Sequence, residues 1–177
     1  TWDAEDPNAL IIDSSTTSIA ENAYKNNTTI TSVTIPQSVK TIGKGAFSGC
    51  TALQSVYISQ ECEAKLADEM FKDCINLKEI FVGVQTSSIG ESTFENCINL
   101  KDYNALRFSF TTDIDSRAFA NCKNIKKICI TTDVKTIASD AFIGCDKLKQ
   151  IKITPDQATV SGAPWGAANA TVVQTYY

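Results

Sequence analysis

The chain has 177 residues, with 16 basic and 20 acidic side chains for a net charge of −4, and it contains seven cysteines but no histidine. Without histidine, the chain cannot form a Ser-His-Asp triad, a Cys-His dyad or a histidine-ligated metal site by itself. The acidic balance without a basic run argues against nucleic-acid binding, and no apolar stretch approaches the ~18 residues of a membrane-spanning helix.

The N-terminal residues 1–9 are predicted to be a tail or linker, followed by one repeat domain over residues 10–177. Leu10 and Ile12 have the spacing of strand positions in a partial first unit. Because the chain starts at Thr1 and not at Met, we expect that a leader was removed or that the sequence is a fragment of a longer protein.

A motif of Phe, two residues, Cys, two residues and Leu or Ile occurs five times. The spacings between the phenylalanines are 24, 23, 25 and 23 residues, and each cysteine follows its phenylalanine by three. Tyr24 and Trp165 extend the aromatic position by 23 residues at either end, so about seven units are predicted. The aromatic column is Tyr24, Phe47, Phe71, Phe94, Phe119, Phe142 and Trp165, and the cysteine column is Cys50, Cys74, Cys97, Cys122 and Cys145.

Each unit also carries aliphatic residues at fixed positions. One lies five residues before every aromatic, and this aliphatic column is Ile19, Ile42, Leu66, Ile89, Ile114, Ile137 and Val160. Alternating aliphatic residues, as in Val33-x-Ile35, predict a strand with one buried face. A single unit cannot bury this face, but stacked units can, with equivalent residues in ladders about 4.8 Å apart.

Two units depart from the pattern. The unit over residues 100–125 is longer, and its strand can place either Tyr103 and Ala105 inward or Leu106, Phe108 and Phe110 inward, with a bulge or an extra strand pairing expected. In the last unit Pro164 and Trp165 replace Ala and Phe, and we expect this unit to cap the core because terminal repeats are atypical.

The repeats over residues 38–58 and 133–153 resemble the BspA-like leucine-rich repeats of bacterial and protozoan surface proteins, with the pattern I-G-x-x-A-F-x-x-C-x-x-L followed by x-x-I-x-I. The resemblance covers the chain from about residue 10 to the C-terminus. It implies a right-handed leucine-rich-repeat solenoid with a parallel sheet on one face, and a cell-surface or secreted protein that acts in attachment or ligand binding, including host interaction.

The cysteine column has two interpretations. A metal or redox site requires ligands that converge on one point, whereas one cysteine per unit places the sulfurs in a line. We therefore expect a structural column of small buried side chains whose thiols meet backbone carbonyls. The family position is a core position, which implies free thiols. Cys62 and Cys129 lie outside this column and remain the candidates for cysteine chemistry.

The outer face of the strands is the candidate ligand-binding surface, because repeat solenoids commonly bind through their extended strand surface. Tyr57 and Phe81 are predicted to be adjacent exposed aromatics, which often mark contact surfaces, although they can also cover a neighbouring segment. The predicted binding residues are Tyr57, Phe81, Glu79, Asp102, Asn104, Lys127 and Lys152.

These observations predict a non-enzymatic binding or adhesion module without catalytic residues, metal or cofactor. Its expected partner is a protein or glycan on a host or neighbouring cell surface. The alternative is a structural spacer or display scaffold within a larger surface protein, which would have no ligand of its own.

Overall fold

A computed structural model describes residues 6–82, 88–101, 107–109, 112–131, 134–153 and 162–174. Across these residues the chain forms short strands joined by turns, with no helix. The strands are β1 (Ala9–Ile11), β2 (Ser18–Ile19), β3 (Ser32–Ile35), β4 (Thr41–Ile42), β5 (Ser55–Ile58), β6 (Glu79–Phe81), β7 (Ser88–Ile89), β8 (Arg107–Ser109), β9 (Asp113–Ile114), β10 (Lys127–Thr131), β11 (Thr136–Ile137), β12 (Gln150–Ile153) and β13 (Thr171–Gln174).

The longer strands form the main parallel sheet column, in two four-stranded segments. The first segment has the order β1-β3-β5-β6, and the second has the order β13-β12-β10-β8. Each strand pairs with its equivalent one unit away, so that Val33 lies beside Val56 and Ile128 beside Ile151. This register confirms the predicted parallel-strand solenoid, because every aliphatic residue stacks on its own counterpart.

The two-residue strands form a second parallel column. Strand β2 pairs with β4, and β7, β9 and β11 form a three-stranded sheet to which Leu66 is added by a bridge to Ile89. The aliphatic column therefore stacks as predicted from Ile19 to Ile42 and from Leu66 to Ile137. Val160 lies outside the described residues.

The turns that carry the aromatic column close each unit. Successive rings from Tyr24 to Phe142 stack with centroids 5.1 to 5.7 Å apart. Around Phe71, the N–H groups of Glu69, Phe71 and Asp73 all donate to carbonyls of the next unit, at 2.8 to 2.9 Å. Glu69 and Asp73 have φ values of 54° and 61°, in the left-handed region of backbone conformation.

The 25-residue unit and the two ends differ in detail. Backbone pairing aligns Phe108 with Ile130, the register of the second alternative, whereas Tyr103, Ala105, Leu106 and Phe110 lie outside the described residues. At the C-terminal end Trp165 is buried, and its carbonyl accepts the N–H of Phe142. At the N-terminal end β1 begins at Ala9, and a carboxylate oxygen of Asp6 accepts the Asn8 N–H.

Candidate functional site

The N-terminal segment of the main sheet carries the aromatic part of the candidate surface. Tyr57 on β5 and Phe81 on β6 are nearest neighbours in the strand register, and both rings are half-buried. The same row continues through Thr34 to Ile11, which is 66% exposed. Glu79 lies two residues before Phe81 in a half-buried position beside Ser55. The fold therefore places Tyr57, Phe81 and Glu79 together.

The C-terminal segment of the sheet carries the lysines of the candidate surface. Lys127 on β10 pairs in register with Gln150, and Lys152 on β12 pairs with Cys129. These positions alternate with the buried Ile128 and Ile151, so they face outward from the core. Because Lys127 and Lys152 belong to the second sheet segment, the predicted residues fall into an aromatic group and a basic group.

Asp102 and Asn104 lie outside the described residues. Backbone pairing places Arg107 beside Cys129, in the row where the sequence spacing had suggested Asn104. The extra length of this unit shifts the register, and the strand pairing alone reveals it.

The cysteine column is buried and linked to the aromatic column of the preceding unit. Each thiol donates to the backbone carbonyl of the aromatic residue one unit back, at 3.0 to 3.2 Å. At Cys97, burial raises the pKa of the thiol. A raised pKa keeps the sulfur protonated and therefore a poor nucleophile. None of the seven cysteines forms a disulfide bond in this structure.

The interpretation of Cys62 as a candidate for chemistry is wrong. Its side chain is fully buried, and its thiol lies 3.4 Å from the carbonyl oxygen of Val39, to which it donates. Burial also raises the pKa of the Cys62 thiol. The polar neighbours of Cys62 point to solvent while the cysteine packs inward, so Cys129 is the one cysteine with a partly accessible side chain.

Sequence analysis did not predict an ion-pair network around a buried carboxylate in the turns that carry the aromatic column. Glu95 is only 7% exposed, and its Oε1 accepts hydrogen bonds from Nε and Nη2 of Arg117 at 3.1 and 2.5 Å. Its Oε2 lies 3.4 Å from Nζ of Lys72, one unit back. Burial raises the pKa of Glu95, but the hydrogen bonds from Arg117 and Ser92 and the charge of Lys72 lower it overall. Lys72 and Glu95 are 23 residues apart, which equals the repeat period, and this spacing could have predicted that they lie side by side in neighbouring units.

The described residues contain no group of three or more His, Cys, Asp or Glu side chains placed to hold a metal ion. Over the same part of the chain, no helix has the length and hydrophobicity to cross a membrane.

Comparison with known proteins identifies the repeat type. The family described as BspA type leucine rich repeat region matches in two overlapping stretches, residues 6–107 and 65–163, with six copies. None of the curated proteins matches the sequence significantly.

Two solved structures share this fold. A leucine-rich repeat protein from Bacteroides ovatus superposes with a TM-score of 0.82 at 21% identity, over 95% of this chain and 42% of its own length. The leucine-rich repeat protein TpLRR of T. pallidum superposes with a TM-score of 0.74 at 23% identity, over 90% of this chain and 78% of its own. The chain therefore spans less than half the length of the Bacteroides protein.

Proposed function

Because the chain belongs to the BspA-type leucine-rich-repeat family, we propose that it is a non-enzymatic binding module at the cell surface or in the secreted fraction. It recognises a protein or glycan ligand through the outer face of the main sheet. Repeat solenoids present extended surfaces of this kind, and leucine-rich repeats typically mediate protein interactions.

The observation that carries the proposal is the adjacency of Tyr57 and Phe81. Two aromatic rings side by side on a sheet whose other face is the core supply a large contact area with few rotatable bonds. The neighbouring positions Thr34 and Ser55 carry small hydroxyl side chains. Aromatic residues of this kind dominate the binding energy of many protein interfaces.

The fold also supports a non-enzymatic role. Six of the seven thiols are buried, and the buried carboxylate of Glu95 is held by two cations in a structural network. A buried, doubly paired carboxylate is poorly placed to exchange protons with a substrate.

The test is a binding assay of the purified chain against immobilised extracellular-matrix proteins and a glycan array. The double variant Tyr57→Ala/Phe81→Ala is compared with Ile143→Ala, which removes an exposed apolar side chain from one of the turns that carry the aromatic column. Circular dichroism and the urea midpoint verify that all three proteins are folded.

We expect the double variant to lose at least about tenfold in affinity, because two aromatic anchors are removed, and Ile143→Ala to bind like the parent chain. Equal binding by all three would refute the aromatic surface. If the parent chain binds none of these ligands, the spacer alternative is favoured instead.

A further inference from the structure

Four lysines occupy the same position in four consecutive units, four residues after the column cysteine of each unit. We call them the lysine row: Lys78, Lys101, Lys126 and Lys149. All four side chains are exposed. They are 23 to 25 residues apart in the sequence, so they do not form a continuous basic run that the sequence would show.

Contacts between units establish the alignment of the row. The N–H of Lys101 donates to the carbonyl of Lys78 at 3.1 Å, and the N–H of Lys149 donates to the carbonyl of Lys126 at 2.9 Å. Between these pairs, the side-chain amide of Asn124 donates to Oδ1 of Asn99 at 3.3 Å, two residues before the respective lysines. Lys78 and Lys101 are therefore neighbours across one unit boundary, as are Lys126 and Lys149, and the asparagine contact links the two pairs.

Lys127 and Lys152 lie beside the row on the outward face of β10 and β12, which enlarges the cluster to six lysines. None of the six forms an ion pair with another described residue. Other basic side chains do find partners, such as Lys123 with Asp146 at 2.7 Å. Among the described residues, the row makes one contact with a side-chain oxygen, from Nζ of Lys78 to Oε1 of Gln54 at 3.1 Å.

Strands β10, β12 and β13 include Lys127 and Lys152 and contain no carboxylate. In the first two units of the row an acidic residue follows the lysine in the sequence, Glu79 after Lys78 and Asp102 after Lys101. Like charges on neighbouring strands repel and destabilise the sheet, and an anion laid across them removes that cost. Because the chain as a whole has a net charge of −4, a local row of lysines favours anionic ligands whose charges can follow the row.

We propose that the lysine row binds a linear acidic polysaccharide, with successive carboxylate or sulfate groups over successive ammonium groups along the solenoid axis. This inference rests on the proposed function, because both place the ligand on the main sheet column. It adds the class of glycan that the lysine-bearing C-terminal half of the sheet binds. Lysine suits this ligand because its ammonium is a mobile point charge that needs no fixed anion geometry.

Nucleic acid fits the row less well than a polysaccharide. Proteins that hold single strands combine basic grooves with aromatic side chains on which the bases stack. The residues that flank Lys126 and Lys149 in the sequence are Ile125, Lys127, Leu148 and Gln150, none of them aromatic.

The experiment measures binding of the folded chain to four immobilised probes at several NaCl concentrations. The probes are heparin, which carries sulfates, polygalacturonate, which carries only carboxylates, neutral dextran, and single-stranded DNA. The row variant removes two lysines of the row and the two that lie beside it: Lys126→Gln/Lys127→Gln/Lys149→Gln/Lys152→Gln. The control Lys25→Gln/Lys40→Gln/Lys65→Gln/Lys135→Gln removes the same charge from exposed positions outside the main sheet.

We expect the parent chain to bind heparin or polygalacturonate but not dextran, with affinity that falls as salt rises. The row variant should bind about tenfold or more weakly, since four charge contacts are lost, and the control within about twofold of the parent. The stronger of the two acidic probes identifies sulfate or carboxylate as the preferred group.

Equal weakening of the row variant and the control would overturn the proposal, as would the absence of binding to both acidic polysaccharides. Row-dependent binding of single-stranded DNA at equal or higher affinity would overturn it in favour of nucleic acid. The variant Tyr57→Ala/Phe81→Ala separates the two proposals: if it keeps heparin or polygalacturonate binding but loses the ligand found in the first assay, the two surfaces act independently.

Discussion

The thiol of Cys74 donates to the carbonyl oxygen of Phe47, one unit back, at 3.1 Å. The same carbonyl accepts the N–H of Cys50 within its own unit at 3.2 Å, so both of its lone pairs are used. The same contact is made by all five column cysteines, so it ties the cysteine column to the aromatic column. It explains why these five units keep a small side chain with a donor at this position.

Removal of one such thiol should destabilise the solenoid. In Cys97→Ala the carbonyl of Phe71 loses its thiol donor and a small cavity opens, which should cost about 1–3 kcal/mol. The measurement is urea unfolding followed by circular dichroism. The control Cys129→Ala changes a half-buried side chain and should cost less than about 0.5 kcal/mol. Equal unfolding midpoints for the two variants would contradict the structural role of the column.

The reactivity of the thiols should follow their burial. With a thiol-specific reagent under native conditions, we expect no more than one cysteine per chain to react quickly, and this one is Cys129, because the other six are buried. In denaturant without reductant all seven should react. The variant Cys129→Ser should abolish the fast phase. A count well below seven in denaturant would refute the assignment of free thiols.

The stability contributed by Glu95 should depend on pH. Its pKa in the folded chain lies below the ordinary glutamate value of about 4.3, so its stabilisation is present above that pH and is lost as the pH falls through the folded pKa. At pH 7, Glu95→Gln should cost about 1–3 kcal/mol, because the cations Arg117 and Lys72 lose their shared partner. The difference between the parent chain and the variant should shrink as the pH falls below the ordinary glutamate pKa.

The matched control for Glu95 is Glu63→Gln, which breaks the exposed ion pair with Lys40. The Glu63 side chain is 68% exposed, so its loss should cost less than about 1 kcal/mol at either pH. Urea midpoints at pH 7 and pH 3 measure both effects. A Glu95→Gln penalty that is the same at the two pH values would show that the charge of Glu95 contributes nothing.

Gly43 should not tolerate a side chain. A Cβ at this position would lie 2.2 Å from the backbone nitrogen of Glu21 in the preceding unit, and the backbone cannot yield as a side chain can. We expect Gly43→Ala to cost about 1–3 kcal/mol through overpacking. Ala138→Gly, at the equivalent position of another unit, should cost no more than about 1 kcal/mol. Thermal unfolding of both variants measures the difference, and a neutral Gly43→Ala would contradict the close approach.

Much of the fold could be predicted because the repeat period is itself a structural constraint. Once Phe47 and Phe71 are assigned as equivalent, parallel hydrogen bonding between units stacks them, and the rings do stack with centroids 5.6 Å apart. The same argument predicted the pairing of Ile19 with Ile42. It failed in the long unit, where Arg107 and not Asn104 lies beside Cys129, because the position of the extra residues is not encoded in the period.

The candidate site was less predictable. The alternation in the strands predicted that Tyr57 and Phe81 lie side by side, as their strand pairing shows. The burial of Cys62 was not predicted, because a single side chain can point into the core while the polar residues on either side of it point to solvent. The pairing of Arg117 with Glu95 also escaped prediction, since the two residues are 22 positions apart and occupy different places in their units.

The sequence by itself determined the repeat, the buried columns and the family, because each follows from the spacing of like residues. Only the tertiary structure decided which surface side chains have partners. Lys72 and Lys126 look alike in the sequence, yet Lys72 lies 3.4 Å from a buried carboxylate, whereas Lys126 stands exposed in a row of like charges. The reason is that an ion pair requires the two charged groups of neighbouring units to lie within a few ångströms of each other. That separation depends on turn geometry and side-chain direction, which the repeat period does not determine.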